Sequence, residues 1–249
     1  MQRFFVPPEW LQRDPVVLSG ATAHQVTRVL RMRPGDECLL LDDTGWAYRL
    51  VLEGFGPGQV TGRIVERLQP DTEPHISIWL HQALLTERKM DWVLQKGTEL
   101  GVAVFAPIAT ERSVRGHRDA VDEAKLDRWR RIVKEAAEQS GRALLPALRP
   151  PESFAAACAR AAQDDAPALL ATVDAAAHPL REALASLEAP CPRQLRLFVG
   201  PEGGFSPDEV EAARRAGVMP VSLGPRVLRT ETAGMVATAA ILYACGELG

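Results

Sequence analysis

Residues 197–205 read LFVGPEGGF, and residues 221–233 read VSLGPRVLRTETA. Each stretch places a glycine-bearing turn between an apolar run typical of a strand and a pattern typical of a helix. Glycine reaches positive φ and lets backbone N–H and C=O groups approach a ligand without an intervening Cβ. Two such turns leaving neighbouring strands predict a largely backbone-lined pocket for a small molecule at one edge of an α/β sheet.

The composition is that of an ordinary globular protein. The chain has 249 residues, of which 46% are hydrophobic and 24% are charged, so it can form one large domain or two modest ones. No apolar run approaches the ~20 residues that a membrane span requires. The amino-terminal residues lack the apolar segment of a secretion signal. We therefore expect a cytoplasmic protein with no membrane partner.

The cysteines and histidines give no sign of a metal site. Cys38, Cys158, Cys191 and Cys245 include no C-x-x-C pair, and we expect all four to be reduced and buried. The five histidines include no H-E-x-x-H pattern, so no metal is expected.

The charge balance argues against a strongly basic nucleic-acid binder, because the formal net charge is −3. All but four of the 29 basic residues are nevertheless arginine, whose planar guanidinium suits phosphates and base edges. Residues 111–149 hold ten basic and seven acidic side chains. This cluster fits either contact with a phosphate backbone or a solvated helix face.

Two regions differ in their patterns. The first ~70 residues show short apolar runs separated by turn signals, which predict a small β-barrel with one helix over Ala21–Met32. From His75 onward strands alternate with helices, which predicts a mainly parallel α/β sheet. We place the domains at 1–72 and 73–249. Within the second domain we predict strands over 76–84, 102–108, 168–172, 195–199 and 220–223, and helices over 88–100, 122–140, 152–163, 178–186, 207–216 and 231–245.

Helix starts are marked by capping residues. Ser206, Pro207 and Glu209 predict a capping box at the helix over 207–216, and Thr230 is the expected cap of the last helix. Trp92 and Trp129 have apolar neighbours on predicted helices, so we expect both in the core.

Several nucleotide-binding motifs are absent. The chain contains no Gly-Lys pair for a P-loop and no G-x-S-x-G elbow, and its glycines do not have the position or spacing of a dinucleotide fingerprint.

The complete sequence of the two turns resembles that of the SPOUT class of S-adenosylmethionine-dependent RNA methyltransferases, and within it the RsmE family. Further matching stretches are RFF at 3–5, the basic segment 24–33 with PGD at 34–36, KMD at 89–91, QKGTELGV at 95–102, ERS at 111–113 and EQSGR at 138–142. The resemblance extends over nearly the whole chain.

The resemblance implies an α/β protein. A carboxy-terminal SPOUT-type α/β-knot methyltransferase domain would follow a small amino-terminal PUA-like RNA-binding β-barrel, and the protein would be a homodimer whose partner helps complete each active site. It further implies S-adenosylmethionine as cofactor and 16S ribosomal RNA, or the small ribosomal subunit, as partner. The reaction would be methylation of N3 of a uridine, uridine 1498 if the family's target holds. A SPOUT ribose 2′-O methyltransferase and a non-catalytic RNA-binding ribosome-assembly factor remain alternatives.

Site residues follow from the two turns and from the resemblance. Arg229 would hold the uracil oxygens or a phosphate, and Glu231 would accept a proton or cap the last helix. We expect the cofactor to contact Thr172, Val199, Gly200, Glu202, Gly203, Gly204, Leu223, Gly224, Val227 and Leu228. We expect RNA to contact Arg3, Arg28, Arg31, Arg33, Lys96, Arg112, Gln139 and Arg142.

Overall fold

The computed structural model describes residues 1–113, 121–174, 176–187 and 191–248. By its internal contacts the chain divides into two compact units. The first unit consists of residues 1–73 and 137–145, and the second of residues 74–136 and 146–249.

The first unit is built on a curled five-stranded sheet. Its strands are β1 (Gln2–Phe5), β2 (Val16–Ser19), β3 (Glu37–Leu41), β4 (Ala47–Gly56) and β5 (Gln59–Leu68), in the order β1-β3-β4-β5-β2. The β1–β3 pair is parallel, and the other pairs are antiparallel. Buried side chains from the sheet, such as Phe4, Leu18 and Leu50, form the core of this unit. The short strands that the apolar runs of the first ~70 residues predicted are present.

The helix predicted over Ala21–Met32 is shorter and less regular in the structure. Helix α1 (Gly20–His24) runs directly into a π-helical stretch, Gln25–Val29. Arg31 then adopts a left-handed conformation with φ 53°. The helical stretch thus ends at Val29, before Pro34. A turn follows in which the Arg33 N–H donates to an Asp36 carboxylate oxygen at 2.7 Å.

Residues 137–145 are held in the first unit by carboxylates. Glu73 accepts hydrogen bonds from the Arg142 side chain at 2.6 and 3.1 Å and from the Ala143 N–H at 2.9 Å. Asp43 accepts one from the Leu145 N–H at 2.6 Å. Arg142 is only 5% exposed. The assignment of Arg142 to RNA contact is therefore corrected, because its guanidinium is buried against Glu73.

The second unit contains the predicted parallel sheet. Its strands are β6 (Ser77–Gln82), β7 (Val104–Phe105), β8 (Ile108–Ala109), β9 (Ala147–Leu148), β10 (Glu152–Ser153), β11 (Ala168–Ala171), β12 (His178–Pro179), β13 (Gln194–Val199) and β14 (Met219–Ser222). Seven of them pair in parallel in the order β12-β14-β11-β13-β6-β7-β9, and β8 pairs with β10 in a separate small sheet. The strand predicted over 102–108 is split between β7 and β8, because Pro107 has no N–H for a ladder.

Helices cover both faces of this sheet. They are α2 (Glu87–Leu100), α3 (Glu123–Ser140), α4 (Phe154–Ala161), α5 (Leu180–Ala185), α6 (Pro207–Arg215) and α7 (Thr230–Ala244). Helices α2 and α7 share one apolar core with the sheet, whereas α4 and α6 share another. The capping box of Ser206 and Glu209 at α6 is confirmed.

The two tryptophans predicted in the core have different environments. Trp129 is buried, as expected, whereas Trp92 on α2 is 40% exposed, so that its assignment to the core was wrong.

The cysteines divide into two pairs. Cys38 and Cys158 are free and buried, as expected, and burial raises the pKa of each thiol to about 12. Cys191 and Cys245 form a disulfide, so the expectation that they are reduced was wrong. The fold brings the segment before β13 next to the end of α7. The two cysteines are 54 residues apart, so their proximity could not be predicted from the sequence. Within the described ranges, no helix has the length and apolar character that crossing a membrane requires.

A buried histidine lies on the α4 side of the sheet. The His81 ring stacks on Phe198 with ring centroids 4.3 Å apart, and its Nε2 lies 3.3 Å from Nη1 of Arg196. Arg196 also pairs with Asp164. Burial, and then the charges of Arg196 and Arg160, lower the pKa of His81 from 6.5 to about 3.

We predict that His81 makes the protein sensitive to acid. The unfolded chain binds a proton at this imidazole below pH 6.5, whereas the folded protein keeps it neutral down to about pH 3. Across this window the free energy of unfolding should therefore fall with falling pH, by up to about 1.4 kcal/mol per unit. His81→Phe keeps the stack and should flatten this dependence in urea titrations. His24→Gln, at an exposed site, is the control, and an unchanged slope in His81→Phe would contradict the assignment.

Candidate active site

A cleft of about 440 Å³ opens at the carboxyl ends of β11, β13 and β14. Its volume lies in the range of small-molecule sites. All ten residues predicted to contact the cofactor line this cleft, and so does Arg229. Further lining residues that were not predicted for the cofactor are Lys89, Arg112, Ala171, Val173, Pro201, Phe205, Arg226, Thr230 and Ala233.

The glycines of the two turns serve different geometries. Gly204 and Gly224 have φ of 66° and 104°, a conformation that side chains with a Cβ rarely adopt. A Cβ on Gly200 would lie 3.1 Å from the Phe205 ring. Gly203 has neither constraint, since an added Cβ would lie 3.4 Å from the Arg112 side chain. Neither the backbone conformation nor a close contact therefore requires glycine at position 203, whose backbone lines the cleft.

A buried hydroxyl links the two turns. Thr230 Oγ1 donates to the Gly200 carbonyl at 2.5 Å and accepts from Gln82 Nε2 at 3.0 Å. Thr230 was expected to cap α7, but it is the first residue of that helix and Arg229 is its N-cap. Gln82 was missed. The available signal was a polar residue at the end of strand β6, two positions after its apolar run 78–80.

Charged side chains gather around Lys89 at the rim of the cleft. The Lys89 Nζ lies 2.9 Å from Glu202 Oε1 and 3.9 Å from Glu231 Oε2. The hydrogen bond to Glu202 is the largest cause that raises the pKa of Lys89 above its ordinary value. Glu231 therefore lies beside the cleft, although it is not among the lining residues. Lys89 was quoted from the sequence as part of a motif but was not predicted in the site.

Arg112, predicted to contact RNA, contacts the first turn. Its Nη1 donates to the Gly203 carbonyl at 2.9 Å and to the Phe205 carbonyl at 3.4 Å. An arginine in the ERS motif therefore contacts the backbone of residues 203–205.

The other residues predicted for RNA contact are distributed over both units. In the first unit Arg28, Arg31, Arg33 and Gln139 are exposed, and the Arg3 guanidinium lies beside Gly141. In the second unit Lys96 pairs with Glu99 at 2.8 Å. Arg115 and Arg118 of the basic cluster lie outside the described residues.

No group of three or more histidine, cysteine or acidic side chains in the described part of the chain is arranged to hold a metal ion.

Comparison with known proteins identifies the family. The RNA methyltransferase domain family matches residues 72–242. The chain belongs to this family. Among its relatives, the ribosomal RNA small subunit methyltransferase E of Bacillus subtilis is 32% identical, over 98% of this chain and 96% of the relative. The protein of that name from Synechocystis is 36% identical, over 96% of this chain and 76% of the relative.

Solved structures agree with this membership. Ribosomal RNA small subunit methyltransferase E from Neisseria gonorrhoeae, bound to S-adenosylmethionine, superposes with a TM-score of 0.84 at 32% identity over 98% of this chain and 97% of that chain. A methyltransferase from Legionella pneumophila, also bound to that cofactor, gives a TM-score of 0.85 at 32% identity and covers 98% of each chain. The prediction that the chain is an RNA methyltransferase is confirmed.

We predict that Thr230→Val destabilises the protein by about 1–3 kcal/mol, because the Gly200 carbonyl and the Gln82 amide both lose a buried partner. The free energy of unfolding measured in urea tests this. Thr238→Val on the same helix is a matched control, since Thr238 is fully buried and its hydroxyl has no hydrogen-bond partner among the described residues. Equal effects of the two substitutions would show that the Thr230 hydroxyl makes no special contribution.

Proposed function

We propose that the protein methylates N3 of a uridine in 16S ribosomal RNA with S-adenosylmethionine as methyl donor. The observation that carries this proposal is the cleft itself. The two glycine turns supply most of its lining residues, and two relatives at 32% identity hold this cofactor in their solved structures.

The residues of the cleft fit S-adenosylmethionine. The turns leave the backbone of Gly203, Gly204 and Gly224 without side chains, and no neighbouring atom lies within 4 Å of where a Cβ on Gly204 or Gly224 would stand. Leu223, Val227 and Leu228 add apolar surface beside the backbone of the second turn, which suits a ligand with an uncharged adenine ring. Thr172, Val199, Gly200 and Glu202 complete the proposed contacts. The bound cofactor supplies a methyl group that is already activated on a sulfonium.

The acceptor determines what Arg229 and Glu231 must do. Uracil N3 carries a proton and is a poor nucleophile until that proton leaves. In our proposal Glu231 accepts the proton, and Arg229 stabilises the negative charge that develops on the uracil oxygens. The N3 electron pair then forms the bond to the methyl carbon while the carbon–sulfur bond breaks. Arg229→Ala should accordingly reduce turnover and retain cofactor affinity, and unchanged turnover would remove Arg229 from the mechanism.

RNA contact is proposed for the first unit, as a PUA-like domain. Exposed Arg28, Arg31 and Arg33 on and after its π-helical stretch support this, together with Arg3 and Gln139. Lys96 and Arg112 would contribute from the second unit. Replacing a cationic side chain that contacts an RNA phosphate should reduce the salt dependence of RNA affinity. A variant whose salt dependence is unaltered would show that the replaced side chain does not contact RNA.

A homodimer and a knotted chain complete the proposal. Trp92 on α2 and Val236 and Tyr243 on α7 are 40%, 43% and 73% exposed, although the two helices pack together. Such an apolar surface supports a subunit interface, and a monomer in sedimentation equilibrium would exclude it.

After β14 the chain returns past β11 to α7, which packs on β11, β13 and β6. This return path supports a trefoil knot, which a chain trace in an experimental structure tests.

We predict that the purified protein transfers one methyl group from S-adenosylmethionine to a uridine of small-subunit RNA, and that mass spectrometry places it on the base at N3. Ribosomal subunits and naked RNA serve as parallel substrates. A methyl group on the ribose 2′-oxygen would instead establish the ribose methyltransferase. Binding of RNA without any transfer would favour the assembly factor.

We predict that Gly203→Val weakens cofactor binding while the fold persists, since the branched side chain would crowd Arg112, which also lines the cleft, and would shift the backbone of the first turn. Isothermal calorimetry with S-adenosylmethionine measures the affinity, and circular dichroism monitors the fold. Gly56→Val is the control, because an added Cβ there meets nothing within 4 Å and the residue does not line the cleft. Normal affinity in Gly203→Val would refute the placement of the cofactor.

A further inference from the structure

One ammonium group contacts a carboxylate from each of the two turn regions. Lys89 lies in the first turn of α2 and is part of the cleft lining. Its Nζ donates to Glu202 of the first glycine turn at 2.9 Å and lies 3.9 Å from Glu231 in the first turn of α7. The side chain of Lys89 is 33% exposed and that of Glu231 is 15% exposed.

The Glu231 carboxylate has unused hydrogen-bonding capacity. Its Oε2 is buried and has no hydrogen-bond donor among the described residues. A buried carboxylate oxygen is unfavourable without a compensating donor or cation. Lys89 supplies the charge at ion-pair distance but leaves the oxygen able to accept a hydrogen bond. The N3–H of uracil is a donor of the required kind.

We propose that Lys89 is a positioning residue that holds the Glu231 carboxylate beside the first turn so that it can receive the N3 proton. This inference rests on the function proposed above. The N3–H bond breaks, the proton passes to Glu231, and the N3 electron pair then attacks the methyl carbon as the sulfur takes the electrons of the breaking bond. Glu202 and Arg229 are the other charged groups that face Lys89.

Lys89 is not itself the proton acceptor. The hydrogen bond to Glu202 and the charges of both carboxylates raise its pKa, so the group remains an ammonium. Its effect on the reaction must therefore act through the carboxylates. A lysine that only joined the two turns would alter cofactor affinity and leave the rate of the chemical step with bound cofactor unchanged.

The test compares Lys89→Met, which retains the length of the side chain, with Lys89→Arg, which retains the charge. The single-turnover rate of methylation is measured with saturating cofactor, and the Kd for S-adenosylmethionine is measured by calorimetry. In Lys89→Met we expect the rate to fall by roughly tenfold to a hundredfold, because the Glu231 carboxylate is no longer held in place, without a matching loss of cofactor affinity. Lys89→Arg should restore most of the rate. In a Glu231→Gln background Lys89→Met should have little further effect on the rate.

Arg130→Met is the matched control. Arg130 also contacts two carboxylates, Glu123 and Asp127, but lies on α3 and outside the cleft lining. Its loss should leave both the rate and the affinity unchanged. If Lys89→Met is poorly folded by circular dichroism, Lys89→Gln replaces it in every measurement. An unchanged rate, or a loss of affinity as large as the loss of rate, overturns the inference, whereas a wild-type protein that methylates no uridine overturns the proposed function instead.

Discussion

The arrangement of the cleft depends on one buried hydroxyl. Thr230 joins the Gly200 carbonyl, in the first turn, to the side chain of Gln82 at the end of β6. Through this atom the start of α7, the first glycine turn and the end of strand β6 are fixed to one another. A buried polar group must find its partners within the fold, and three groups that satisfy one another define one geometry more sharply than apolar packing does. The hydroxyl thus holds the Gly200 end of the first turn, and Arg112 holds the Gly203 carbonyl.

The elements that local chemistry determines could be predicted from the sequence. Alternating apolar runs and helical patterns indicated the parallel sheet, and Ser206 with Glu209 fixed the start of α6. The two turns indicated the cleft because Gly204 and Gly224 have positive φ, a conformation that strains residues with a Cβ. Gln82 and Lys89 could not be found in this way. Each reaches the site through pairing or packing with segments more than a hundred residues away.

The incorrect expectations share a physical origin. Arg142 resembles an exposed cation in the sequence, yet Glu73 draws it into a buried ion pair. Trp92 has apolar neighbours on α2, yet it lies on the exposed side of that helix. Cys191 and Cys245 become neighbours only when α7 has packed against the sheet. In each case tertiary packing, which joins distant segments or leaves one side of a helix to solvent, outweighs the preference of the residue type.

The distribution of charge in the cleft suits the proposed reaction. Once uracil has lost its N3 proton, a negatively charged base meets a positively charged sulfonium, and the two charges disappear as the methyl group moves. Water stabilises such separated charges and therefore slows their neutralisation. In the proposed complex the turns' backbone and the apolar Leu223 and Leu228 would take the place of some of that water. Charged side chains also line the cleft, and at its rim Lys89 lies between Glu202 and Glu231. In our proposal the proton transfer moves a negative charge from Glu231 to uracil close to Lys89, and the methyl transfer then neutralises that charge against the sulfonium.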